Sequence, residues 1–253
     1  MARGLFIGLT TVDLFNVVAS HPLPDQKIKT LHQAACAGGP AANAAVAFSA
    51  FENEADLITG LGHHPTGTLA FEDLQKHGVN IHDYSADPDA LPILSSIIIN
   101  SSSGSRCVVY SNPHQRTLSP DRQYEFKDDD YAVILFDGFY LEQAIAVAKA
   151  AQGGSAITVL DGGSWKEGLE ELLPYINYAI CSADFSAPGC KSDQDLLGYL
   201  EEIGVLGSAI SRGAEPIIYS IERSQYHLAV PRVKAIDTVG AGDILHGVFC
   251  HHI

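Results

Sequence analysis

The chain reads as an α/β protein with a mostly parallel central sheet flanked by helices and a small β lid. Three observations predict this. Short apolar runs alternate with helical patterns along most of the 253 residues, the signature of βαβ units. Two stretches, at residues 23–36 and 91–111, break that alternation with β-rich sequence. Glycine-rich segments stand directly before two of the helical patterns, where bare backbone allows close approach.

Taken in order, residues 4–10 read as a first strand. Residues 39–51 predict an alanine-rich helix opened by Pro40, because proline is tolerated in a first turn. Residues 55–60 read as a strand and 66–77 as an amphipathic helix closed by Gly78. The alternation continues with a strand at 131–136, a helix at 141–151, a strand at 156–160 and a helix at 166–173. A strand at 178–181, a helix at 193–203 and a strand at 215–220 follow, and a final helix starts near Ala241. The second β-rich stretch carries Ser101-Ser102-Ser103-Gly104 between two apolar runs, a hairpin signal. The lid is placed at about 14–36 and 91–111, within one domain spanning 1–253. Such a sheet would exclude water during group transfer, and its exposed edges suit pairing with a second copy as a homodimer. An ordinary edge hairpin fits the same pattern.

Composition narrows the function. Fifteen Lys+Arg against thirty Asp+Glu give a formal charge of −15, which repels phosphodiester backbones and anionic membrane surfaces. Nucleic acid and membrane are therefore not expected partners, and no segment has the uncharged length of a membrane span. Five cysteines without a CxxC pair point to free thiols and a cytoplasmic location. His63-His64 and His251-His252 are adjacent pairs, not the i, i+4 spacing of a helix-borne metal site.

Three motifs carry chemistry. Asp237-Thr238-Val239-Gly240-Ala241-Gly242-Asp243 puts three small residues at a helix start, where free N–H groups favour an anion. An acid beside an anion site makes sense for proton abstraction from an attacking hydroxyl, and an ordinary carboxylate suffices for that in phosphoryl transfer. A tight turn whose Asp243 only caps the helix would look the same. In Gly38-Gly39-Pro40-Ala41-Ala42-Asn43, the lone amide of Asn43 suits sugar hydroxyls, as donor and acceptor, or simple packing. In Gly8-Leu9-Thr10-Thr11-Val12-Asp13 a strand runs into an acid; ligands of open α/β sheets lie beyond strand carboxyl ends. There Asp13 and Thr10 could hold hydroxyls, or Asp13 could merely start a turn.

The two glycine-rich motifs, in this order and at this separation, resemble the signatures of the ribokinase-like (PfkB) carbohydrate kinase family across essentially the whole chain. The resemblance implies a ribokinase-like fold and an ATP-dependent transfer to a hydroxyl of a small sugar, with Mg²⁺. It implies Asp243 as the base, Gly240, Ala241 and Gly242 as the anion hole, and Asp13, Gly39, Asn43 and Thr10 against the sugar. Gly213, in Ser211-Arg212-Gly213, matches a turn beside the nucleotide phosphates. Asp237 matches a residue that helps bind a monovalent cation such as K⁺.

The chain departs from the family in places. Where many members carry Asn-x-x-Glu, linked to Mg²⁺ and phosphate, it reads Cys181-Ser182-Ala183-Asp184-Phe185, with Asp184 the available carboxylate. Pro40 stands where some ribose kinases have Lys, and Thr10 where they have Asn, which disfavours ribose. Ile253 comes early for the family after Asp243. A nucleoside kinase, or a sugar-binding regulator without catalysis, are the competing readings.

Overall fold

The computed structural model describes residues 1–122, 124–127, 130–233 and 238–253. The first strand, β1 (Arg3–Ile7), is followed by β2 (Thr11–Val18) and β3 (His32–Gly38). Then come α1 (Pro40–Ser49), β4 (Glu54–Thr59), α2 (Pro65–Lys76), β5 (Val79–Asp83), β6 (Leu94–Asn100) and β7 (Arg106–Tyr110). The second half holds β8 (Val133–Phe136), α3 (Leu141–Ala150), β9 (Ile157–Gly162), β10 (Tyr178–Ser182) and α4 (Asp193–Ile203). It closes with β11 (Gly207–Arg212), β12 (Glu215–Ile221), β13 (Ser224–Leu228) and α5 (Ala241–His252).

Among the described residues these strands make two sheets. The larger has the order β13-β12-β11-β10-β9-β8-β1-β4-β5, parallel from β11 to β5 with β12 and β13 antiparallel at one edge. The smaller has the order β3-β2-β6-β7. Strands covered on both faces should be apolar throughout. In β8 every residue is buried, and Leu5, Phe6 and Ile7 of β1 are fully so. Burying a side chain of that size is worth roughly 1.5–3 kcal/mol. One face of the sheet packs on α3, α4 and the turns between them, the other on α1, α2 and α5.

The helices start where local chemistry lets them. Pro40 opens α1, Ser192 Oγ accepts from Asp195 N at 3.2 Å to cap α4, and Gly204 ends α4 at φ +113°. Ala41, Ala42, Ala44 and Ala45 are fully buried, so α1 lies close to its neighbours. The contact with α5 is closest at Gly247, where a Cβ would stand 2.3 Å from the Ala44 carbonyl oxygen and 2.7 Å from Ala47 Cβ.

Four expectations need correction. Residues 166–173 form no α-helix: Gly168 adopts φ +86°, and two short 3₁₀ turns, Leu169–Glu171 and Leu173–Tyr175, follow. The helical spacing of the leucines is real but serves burial of Leu169, Leu172 and Leu173 alone. The first strand ends at Ile7, and Asp13 is the third residue of β2 in the smaller sheet, so it does not end that first strand. In the stretch at 23–36 only β3 is extended, and Leu23 and Leu31 are exposed. Finally β5, β11 and β13 were not foreseen as strands. The hairpin at Ser101–Gly104 is present, joining antiparallel β6 and β7.

Because the neighbour at Gly247 is backbone, Gly247→Val should force α1 and α5 apart. The expected loss is about 1–3 kcal/mol of unfolding free energy, read by urea denaturation; an unchanged midpoint would show that the helix contact tolerates a side chain.

Candidate active site

The site is built where β1, β8 and β9 end. Asp137 directly follows β8, and its carboxylate joins three segments. Its Oδ2 accepts from Leu9 N at 2.8 Å and Ala41 N at 3.2 Å, and its Oδ1 from Phe139 N at 2.9 Å. Burial pushes its pKa up, opposed by Lys166 and by those three amides. Gly8 is a matching requirement, since a Cβ there would lie 2.1 Å from this carboxylate.

Two helix N-termini converge above that floor. Gly39 precedes α1 at φ +102°, and a Cβ would meet the Leu9 carbonyl oxygen at 2.3 Å, so only glycine fits. Gly240 caps α5 in the left-handed region at φ +71°. Asn43, on the first turn of α1, donates from Nδ2 to Asp243 Oδ2 at 2.7 Å. This bond fixes one carboxylate oxygen of Asp243 and leaves Oδ1 available as an acceptor. At the start of α1 the N–H groups of Ala41 and Asn43 are taken by Asp137 and the Gly39 carbonyl, and at the start of α5 that of Ala241 donates to the Thr238 carbonyl at 3.3 Å. The remaining first-turn N–H groups lack intrahelical partners and make the region hospitable to an anion.

The smaller sheet supplies the opposite wall. Asp13 is buried, and its Oδ1 accepts from Thr11 Oγ1 at 2.6 Å. Its pKa is raised first by burial, with the Asp243 charge adding and hydrogen bonds from Thr11 and Ser95 opposing. Gly38 makes room for it, because a Cβ there would come 2.2 Å from Asp13 Oδ2. A tie to the approach to α5 comes from β7, where Arg106 Nη1 donates to Thr238 Oγ1 at 3.0 Å.

Between these walls lies a cavity of about 340 Å³. Of the residues singled out from the sequence, Asp13, Gly39, Asn43, Gly240 and Asp243 line it together. Ala241 and Gly242 are exposed beside it in the first turn of α5. Thr10 is not a lining residue: it is buried, its hydroxyl finds no partner among the described residues, and Thr11 lines the cavity instead. The short connection at residues 8–10, between β1 and β2, moves the contact by one residue. Asp184 and Gly213 also stand off the cavity, exposed in the turns after β10 and β11. Parallel pairing puts both turns at the same sheet edge as Asp161. Asp237 lies outside the described residues.

Sequence reasoning missed Asp137, Asp161 and Lys166, all of which line the cavity. A signal existed, because Asp137-Gly138 and Asp161-Gly162 each follow an apolar run, the same strand-end acid that drew attention to Asp13. Lys166 is the one basic residue of the lining among the described residues. Its Nζ donates to the Ser164 carbonyl at 3.2 Å and sits 4.5 Å from the Phe139 ring centroid. Burial lowers its pKa while Asp137 and Asp161 hold it up. Asp161 is buried and pushed up to about 6, chiefly by burial, with the nearby His246 opposing.

The chain matches the pfkB family carbohydrate kinase model over residues 1–253. It is 24% identical to the ribokinase of Staphylococcus aureus over 260 residues, covering 97% of this chain and 84% of that protein. The solved structure of an Agrobacterium tumefaciens protein superposes with a TM-score of 0.85 at 25% identity, covering 99% of this chain and 83% of that one. Aminoimidazole riboside kinase from Salmonella enterica, solved with aminoimidazole riboside and an ATP analogue, gives a TM-score of 0.74 at 22% identity. That match covers 98% of this chain and 84% of the other.

The raised value of Asp161 has a thermodynamic consequence. A carboxyl that holds its proton more tightly folded than unfolded contributes stability at low pH, lost as pH rises through the folded value. Wild-type stability should therefore fall, relative to Asp161→Asn, from the ordinary carboxylate range near pH 4 up to about pH 6. Urea denaturation of both proteins across this window checks it; parallel pH profiles would contradict it.

Proposed function

Because the chain belongs to the pfkB family of carbohydrate kinases and is thus an ATP-dependent kinase, we propose that it phosphorylates a hydroxyl of a small sugar with Asp243 as general base. The observation that carries this reading is the bond from Asn43 to one oxygen of Asp243 at the start of α5. The other oxygen has no hydrogen-bond partner among the described residues, and Asp243 lines a cavity together with Asp13. A base must lie within hydrogen-bond reach of the proton it takes. Asp13, Thr11, Asn43 and the Gly39 backbone hold the sugar hydroxyls, and one hydroxyl meets Asp243. That hydroxyl attacks the γ-phosphorus of ATP, the bond to the ADP oxygen breaks, and the proton passes to Asp243. The amides of Gly240, Ala241 and Gly242 receive the transferring phosphoryl oxygens, that of Ala241 in exchange for its 3.3 Å bond to the Thr238 carbonyl, so positioning and electrostatics supply most of the rate.

ATP lies along the turns after β10 and β11, which brings its phosphates past Gly213 and Asp184. Mg²⁺ would travel with those phosphates, since it keeps waters and needs only one or two carboxylates; Asp184 is the exposed candidate. A monovalent cation such as K⁺ near Asp237 remains part of this reading. The smaller sheet acts as the lid of a single domain. Its edge strand β7 exposes Val108, Val109 and Tyr110, and a second copy pairs there to form a homodimer.

A nucleoside is the second reading, and one observation favours it. Tyr110, Phe139, Leu9 and Ile93 line the cavity and offer an apolar face for a base.

Coupled ADP release with Mg·ATP, against pentoses, hexoses, sugar acids and nucleosides, tests the reading. One acceptor class should give turnover, and Asp243→Asn should lower kcat by about 10²–10⁴ while calorimetry still shows acceptor binding. Undiminished turnover in that variant removes Asp243 from the mechanism. For the dimer, Val109→Lys should shift sedimentation toward the monomer by roughly tenfold or more in Kd, as burying an unpaired charge costs over 1.4 kcal/mol; no shift would move the interface elsewhere.

A further inference from the structure

His246 is buried in α5, one turn beyond Gly242, and both of its ring nitrogens meet backbone carbonyls. Nδ1 lies 2.6 Å from the Gly242 oxygen and Nε2 lies 2.9 Å from the Ile180 oxygen in β10. Carbonyl oxygens only accept. A neutral imidazole has a single N–H and would press a lone pair against one of them. Both contacts are met together only when both nitrogens carry hydrogen. The counter-charge is at hand, since Asp161 Oδ2 stands 3.3 Å from Nδ1 at ion-pair distance, and that buried oxygen has no hydrogen-bond partner among the described residues.

We propose that His246 is a positioning residue for phosphoryl transfer, held as an imidazolium against Asp161. The Gly242 carbonyl belongs to the peptide unit whose N–H is that of Asp243. A charged donor on the carbonyl polarises this peptide and makes its N–H a stronger donor, as linked hydrogen bonds reinforce one another. That N–H belongs to the first turn of α5, next to the Gly242 amide, and has no partner within its own helix. The second bond, to Ile180, locks the same turn onto the main sheet. His246 therefore acts on the anion-receiving turn from behind, without touching substrate.

The groups that face this pair are Asp137 at the end of β8, Lys166 after β9, Asp243 on the same helix, Cys181 on β10 and Cys250 on α5. Lys166 and His246 are the cations acting on Asp161 and favour its ionised form; Asp137 and Asp243 oppose it. Burial holds both thiols in the neutral form, so neither supplies an alternative counter-charge.

The proposal rests on the kinase reading for its kinetic part only. The first test is ¹⁵N NMR of histidine-labelled resting enzyme at pH 7.5, without substrate. It should show two protonated ring nitrogens for His246, assigned by their loss in His246→Gln, and Asp161→Asn should reduce that signature. The second test is kinetic. Since removing one oxyanion donor costs about 10²–10³, weakening one should cost on the order of tenfold in kcat, with acceptor KM within about twofold. A single protonated nitrogen in the resting enzyme overturns the charge assignment. A His246→Gln variant that loses stability and acceptor affinity along with kcat would make the residue structural only. Failure to find any acceptor would sink the kinase reading and leave the NMR result standing.

Discussion

The close packing of α1 against α5 is the constraint on which the site depends. Gly247 has no side chain, so the Ala44 backbone comes within a distance that any Cβ would block. That contact, just over one turn into α1 and about two turns into α5, sets the separation of their first turns. It is why Asn43 and Asp243, 200 residues apart, share a hydrogen bond of 2.7 Å. Polar recognition at the top of the helices is thus a consequence of small-residue packing around it, where Ala41, Ala44 and Ala45 are fully buried on either side of Asn43.

The second requirement is electrostatic. Among the described residues, four carboxylates line the cavity proposed to admit a phosphate, in a chain of formal charge −15. Three of them are occupied by the protein itself. Asp137 is bonded to three backbone amides, Asp161 faces His246, and Asp13 accepts from Thr11. Among the described residues the Asp243 carboxylate has a single hydrogen bond, from Asn43. The carboxylate least committed to structure is the one at a helix N-terminus, where a dipole and free amides offset its charge toward an incoming anion. Division of labour among four similar residues follows from what each one touches.

The fold was legible where chemistry is local. Pro40, Ser192 and Gly204 mark helix ends that sequence fixes through capping and φ, and α3 and α4 stand within a residue of their predicted bounds. The 166–173 segment misled because its leucines keep helical spacing while Gly168 takes a left-handed conformation. The strands that escaped, β5, β11 and β13, are short and only partly apolar, and pairing rather than propensity defines them. At the site, Asp243, Asn43 and Gly39 were readable because glycines announce close approach. Thr10 was misplaced by one residue, as periodicity does not reveal where the chain leaves one sheet for another. His246 had no signal at all: its importance comes from Ile180 and Asp161, which are distant in sequence and adjacent only after folding.

The central claim is that the hydroxyl to be phosphorylated lies against Asp243. The most direct measurement is a crystal structure of the Asp243→Asn variant with its acceptor and a non-hydrolysable ATP analogue. The expected result is an acceptor hydroxyl within about 3 Å of the residue 243 side chain, with the terminal phosphate over the Gly240–Gly242 amides. An acceptor whose hydroxyl instead meets Asp161 or Asp13, with residue 243 turned away from it, would contradict the account.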